Sequence, residues 1–124
     1  MLVNSLYVFI GGGIGSVLRY LIGKGTFKYL SINLALGTFI SNFLSVLILA
    51  LVLNYLKQKG AILDEGVRLL LIVGLCGGLS TFSTFSFETF ELIKQGQMSM
   101  AILNIGLSLA MGIGLLFAFL NKST

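Results

Sequence analysis

The chain has 124 residues, of which 56% are hydrophobic and 10% charged, with a mean hydropathy of +1.04 and a net charge of +4. That composition excludes an ordinary soluble domain. With no histidine and a single cysteine, it also excludes a Ser-His-Asp triad, an intrachain disulfide and the usual zinc sites.

Charges interrupt the sequence rarely. Uncharged runs cover Met1 to Leu18, Tyr29 to Leu56, Leu69 to Phe87 and Gln95 to Asn121, each at or above the roughly 18 residues that cross a bilayer as helix. They predict four transmembrane helices near residues 3–23, 31–56, 69–93 and 99–120. The connections are too short for a soluble domain, so residues 1–124 form a single four-helix membrane domain.

Helix 1 lacks the basic region and small-residue cleavage site of a signal peptide, so the reading retains it in the membrane. Its "GGGIGS" is not a dinucleotide motif, because no strand precedes it and no βαβ unit follows. Gly11 and Gly15 form instead a GxxxG pair, the signature of a close helix crossing. Helix 2 carries Thr38, Ser41, Asn42 and Ser45 within an otherwise apolar run. Helix 3 is the most unusual, since "LLLIVGLC" is followed by "GGLSTFSTFSFE", in which five hydroxyls and three phenylalanines precede one carboxylate. Gly74, Gly77 and Gly78 near its middle admit two readings, a close crossing or a break whose freed carbonyls serve as ligands for a small hard cation. Cys76 reads as a small packing residue. Helix 4 adds Asn104 and Ser108.

Four helices place both termini on one membrane face. That face collects Lys57, Lys59, Arg68 and Lys122, and the other collects Arg19, Lys24, Lys28 and Lys94, four against four. Orientation follows the Lys/Arg bias, so a tie predicts insertion both ways and an antiparallel dimer about a two-fold axis in the membrane plane. The scattered cations read as interface anchors rather than as a nucleic-acid surface.

Polar groups inside a membrane face protein or a water-filled path, and their chemistry indicates the ion they suit. Helices 1, 2 and 4 contain no acid, while Glu88 and Glu91 lie towards the end of helix 3. This argues against a site that holds a cation on carboxylates. Uncharged donors remain, and amide and hydroxyl hydrogens can replace an anion's hydration without trapping it. Phe82 and Phe85, three apart, share a helix face. Their electropositive ring edges either border a narrow anion path or simply pack.

Along its whole length the chain resembles the small bacterial fluoride channels, through "GGGIGSVLRY" in helix 1, "GTFISN" in helix 2 and, most specifically, "GLCGGLSTFSTFSFE" in helix 3. The resemblance implies an all-α membrane protein, four transmembrane helices with a broken third helix, assembled as an antiparallel dual-topology homodimer in the bacterial cytoplasmic membrane. It implies no enzymatic activity. Fluoride would leave the cytoplasm passively, limiting its toxicity, through two pores per dimer with a structural sodium ion (Na+) at the dimer interface. Carried onto this sequence, Phe82 and Phe85 would line the pores from opposite subunits, with Asn42 donating to the ion and Thr38 orienting the helix 2 site. Ser83, Thr84 and Ser108 would form the accompanying hydroxyl track. The backbone carbonyls of Gly77 and Ser80 would hold sodium, although most relatives have threonine at the position of Ser80. Arg19 matches the family's helix 1 arginine, at a pore mouth or as an interface residue. Glu88 matches its helix 3 glutamate, for which a structural hydrogen-bonding role is expected. Two departures affect the track: Gly112 stands where some relatives carry serine, and Asn104 replaces an aromatic alcohol. The alternative function class is a proton-coupled exporter of cations of the small multidrug type.

Overall fold

The computed structural model describes residues 1–30, 34–60 and 62–121. Lys122 of the charge balance and the start of helix 2 expected at 31–33 lie outside them, as does the side chain of Lys28. Among the described residues every regular element is helical: α1 (Leu2–Leu30), α2 (Leu34–Lys59), α3 (Glu65–Arg68), a π-helical segment (Leu69–Cys76), α4 (Gly77–Leu79), α5 (Phe82–Lys94) and α6 (Met98–Leu120). Four stretches are long and apolar enough to cross a membrane, Leu2–Phe27, Ala35–Lys59, Glu65–Lys94 and Met98–Leu120.

The first helix runs beyond the boundary expected near residue 23. Lys24 does not stop it, because lysine is a good helix former and its stem can lie along apolar surface; its ammonium here lies 5.8 Å from the Tyr20 ring centre. The third span begins earlier than expected, at Glu65, where the Asp64 carboxylate caps the first turn by accepting from the Gly66 N–H at 3.1 Å. It ends in a Schellman arrangement. Gly96 takes the left-handed φ of 78°, its N–H bonds the Ile93 carbonyl, and the Gln97 N–H bonds that of Leu92 at 2.8 Å.

The long first helix packs on the third span backbone to backbone. A methyl group placed on Gly74 would lie 2.9 Å from the Gly11 Cα and 3.0 Å from the Gly12 nitrogen. One on Gly15 would meet the Leu75 carbonyl and the Leu79 nitrogen, and one on Gly78 would meet the Gly12 carbonyl. The GxxxG pair of α1 is therefore a crossing face, opposed by glycines of the partner helix. On the other side α2 packs against α6, and α6 against α5. Little of the apolar surface is covered within one chain: Leu79, Ala50 and Ala101 are buried, whereas large side chains along α1, α5 and α6 face outward. In a bilayer such faces meet lipid or another protein.

Candidate ion-binding site

The polar residues converge where the third span changes conformation. Ser80 (φ −80°, ψ 153°) and Thr81 (φ −148°, ψ 117°) are extended between α4 and α5. Two extended residues remove intrahelical partners on both sides, so side chains have to supply them. The Thr81 N–H donates to Asn42 Oδ1 of α2 at 2.8 Å. Thr81 is also the N-cap of α5, its hydroxyl oxygen accepting from the Thr84 N–H at 3.2 Å.

Each substitution of a donor frees a carbonyl. In a continuous helix the Thr81 N–H would bond the Gly77 carbonyl and the Thr84 N–H that of Ser80. Both N–H groups go instead to side-chain oxygens. Gly77 is exposed, with open space where a side chain would stand. These carbonyls are hard oxygen donors of the kind that bind small cations from unwound membrane helices. The residues present thus fit a sodium ion by donor chemistry.

The neighbouring carbonyls are occupied. That of Cys76 accepts from Ser45 Oγ at 2.7 Å, Ser80 Oγ at 2.8 Å and the Ser80 N–H at 3.0 Å. The Gly78 carbonyl accepts from Arg19 Nε at 3.1 Å. This bond puts a cation at the C-terminal end of the first half of the span, where the helix dipole favours positive charge. Arg19 is therefore anchored to the helix backbone as well as lining the adjacent cleft.

Asn42 has its orientation fixed by chemistry, because an N–H can meet only the oxygen end of an amide. Its Nδ2 hydrogens are left for another acceptor; none is found among the described residues. Beyond it, Phe82 and Phe85 lie on one side of α5 with ring centres 6.2 Å apart and planes tilted by 37°. Phe82 is 80 % exposed. Ser83 is exposed with its Oγ 3.4 Å from Thr81 Oγ1, and Thr84 Oγ1 accepts from Thr81 Oγ1 at 3.1 Å. These residues and the Asn42 amide belong to one neighbourhood.

Thr38 and Glu88 form a second unit, the threonine hydroxyl donating to Glu88 Oε1 at 2.6 Å. Both line an open cleft of about 660 Å³ that also reaches Arg19, Thr81 and Thr84. Ser108, half-buried on α6, forms no hydrogen bond with Ser83 or Thr84. The polar link from α6 to α5 comes instead from Asn104, whose Nδ2 donates to Thr89 Oγ1 at 3.1 Å, while Thr89 donates to the Phe85 carbonyl at 2.8 Å. Sequence reasoning did not single out Thr81 or Thr89. Thr81 carries a legible signal, a threonine ahead of an amphipathic run and so a candidate N-cap; the role of Thr89 depends on its partner across the helix pair.

Comparison with known proteins gives a consistent set of relatives. Proteins described as "Fluoride-specific ion channel FluC" from Flavobacterium psychrophilum, Clostridium perfringens (strain 13 / Type A) and Nitrobacter winogradskyi are 39%, 37% and 38% identical to it. The matches cover 86%, 98% and 91% of this chain and 86%, 92% and 89% of theirs. Residues 6–120 match the family described as "CrcB-like protein, Camphor Resistance (CrcB)". The chain belongs to the CrcB family, as a multi-pass bacterial membrane protein.

Proposed function

We propose that the chain is a fluoride-selective channel through which fluoride leaves the cytoplasm passively, down its gradient. The observation that carries this reading is the Asn42–Thr81 bond at the extended residues of the third span. With its oxygen taken by Thr81, the amide keeps its NH₂ for an ion, which in this reading would pass by Phe82, Phe85 and the Ser83 and Thr84 hydroxyls. Such neutral donors strip an anion of water while binding it weakly enough to release it. The names of the relatives supply the ion.

The reading extends to the assembly. An antiparallel homodimer with two pores would account for the outward rings of Phe82, Phe87 and Phe90 and for the even charge balance. The third helix, interrupted at Ser80 and Thr81, would then present the Gly77 and Ser80 carbonyls to a structural sodium ion shared by the two subunits. When bound, that ion supplies fixed positive charge and a cross-link between subunits. Arg19 and Glu88 would lie at the pore entrance, the former anchored on Gly78 and the latter held by Thr38.

Fluoride efflux from liposomes containing this purified chain alone tests the reading, with a fluoride electrode, a potassium ionophore and chloride-loaded vesicles alongside. Fluoride release without chloride release is the expected result. No release from folded protein removes the channel reading. For the assembly, thiol labelling of Lys57→Cys from both sides of sealed vesicles is expected, and labelling from one side only removes dual topology.

A further inference from the structure

The cleft bounded by α1, α2 and α5 borders two buried polar atoms that have no hydrogen-bond partner among the described residues. Ser41 Oγ and Glu88 Oε2 form no hydrogen bond, and both residues line the cleft. Ser41 is 0 % exposed, so an ion as small as a water molecule reaches its hydroxyl only when the side chains between it and the cleft shift. A hydroxyl inside a helix ordinarily bonds the carbonyl four residues back. Thr26 does so to Ile22 at 2.6 Å and Thr89 to Phe85 at 2.8 Å. Ser41 does not.

Its neighbours on α2 show what is missing. Thr38, Ser41 and Ser45 fall on one helix face at spacings of three and four. Thr38 is engaged by Glu88 and Ser45 by the Cys76 carbonyl, both across helix boundaries. Ser41 is the rung between them with nothing to bond. A buried orphan hydroxyl destabilises a fold, and each one in a native structure calls for an explanation such as a bound ion or water. Over the cleft as a whole the formal charges cancel. Arg19 and Lys24 in the cleft wall balance Glu88 and Glu91, and among the described residues the Arg19 guanidinium donates through Nε alone.

We propose that Ser41 is a further ion-contacting residue, a determinant of selectivity. Its O–H donates to a small, partly dehydrated anion at the inner end of the cleft, one step outside the Asn42 amide. Consecutive residues on a helix point about 100° apart, so the Ser41 hydroxyl is a contact separate from the Asn42 amide, on the face it shares with Thr38 and Ser45. A compact halide accepts a shorter and stronger charge-assisted hydrogen bond than a larger one, so an O–H contact favours it. This inference rests on the channel reading and adds a contact to it.

Ser41→Ala separates a ligand contact from a structural role, because removing an orphan hydroxyl relieves a desolvation penalty whereas removing a bonded one creates a loss. The variant and the wild type are reconstituted in parallel, and each is also unfolded thermally in fluoride-free detergent. The expected result is fluoride efflux slowed about tenfold, the order of one hydrogen bond to a charged group, with an unfolding temperature equal to or above that of the wild type. Unchanged efflux overturns the proposal, and so does a lowered unfolding temperature, which would assign the hydroxyl to a structural water. If the wild type releases no fluoride, the channel reading itself fails and this inference with it. Normal wild-type efflux with an unchanged variant removes the inference alone.

Discussion

The two halves of the third span are held by different forces. From Leu69 to Leu79 the contact with α1 brings backbone against backbone, with glycine facing glycine. From Phe82 to Lys94 Leu92 is buried and the polar contacts are single hydrogen bonds that use a side chain: Thr38 to Glu88, Asn104 to Thr89, and at the junction the Thr81 N–H to Asn42. The first kind of contact is steric and tolerates no added atom. The second is chemical, and it can be altered one donor at a time while the helices stay in place. An ion path needs both, a fixed frame and adjustable donors.

The largest effect is expected in the steric half. Gly15→Val would drive a branched side chain into the Leu75 carbonyl and the Leu79 nitrogen, and neither can yield without moving a helix. Overpacking costs about 1–3 kcal/mol and more where backbone is the obstacle. We expect loss of monodisperse protein in size-exclusion chromatography, whereas Gly13→Ala, where an added methyl meets nothing, should behave as wild type. Equal behaviour of the two would remove the distinction between the halves.

Asn42 sharpens the comparison because its oxygen is engaged by Thr81 while its NH₂ is the donor proposed for transport. Asn42→Leu leaves the Thr81 N–H without its acceptor, a loss of about 1–3 kcal/mol, and should lower the unfolding temperature and abolish efflux together. Asn42→Asp keeps an oxygen for Thr81 but replaces the free NH₂ with negative charge. Its unfolding temperature should stay much closer to wild type than that of Asn42→Leu while fluoride efflux falls about a hundredfold or more, a loss on the scale of one positioned donor. Parallel loss of both quantities in the aspartate variant would make Asn42 merely structural.

The phenylalanines come next. Phe82 is largely exposed within one chain and Phe85 half-buried, so Phe82→Ile should cost the isolated fold less than about 0.5 kcal/mol. Both Phe82→Ile and Phe85→Ile should nonetheless alter fluoride flux, since isoleucine has no electropositive ring edge. Full wild-type flux through both variants would return the rings to ordinary packing.

Much of this organisation was legible in the sequence, and the rest was not for physical reasons. Uncharged runs marked all four spans, because a charge in hydrocarbon is costly enough to be rare. The same logic misjudged the end of α1, since Lys24 is accommodated within the helix with its ammonium near the Tyr20 ring. The glycine pair Gly11 and Gly15 was legible as a crossing face from spacing alone. The π-helical winding of Leu69–Cys76 was not, because "LLLIVGLC" carries no local signal for it. Nor were the donors' partners: that Asn42 meets Thr81, or that Arg19 meets Gly78, follows from which helices touch. Sequence lists the donors, and only the fold shows which of them are already engaged.

The smallest effect concerns Glu88. A carboxylate beside an anion path looks unfavourable until its partner is considered: Thr38 donates to Oε1, and a glutamine presents an oxygen at the same place. Glu88→Gln should therefore keep the Thr38 bond, fold as wild type and conduct fluoride within about threefold of it, with chloride still excluded. The substitution removes one negative charge facing Arg19 and Lys24 in the cleft wall, so any change should be a modest, salt-dependent gain rather than a loss. A proton-coupled exporter responds in the opposite way, since neutralising an essential carboxylate abolishes coupling and with it net transport. Near-normal fluoride efflux from Glu88→Gln thus does more than confirm a minor role for one side chain. It separates a channel, whose selectivity lies in neutral donors, from a carrier whose cycle turns on a titrating acid.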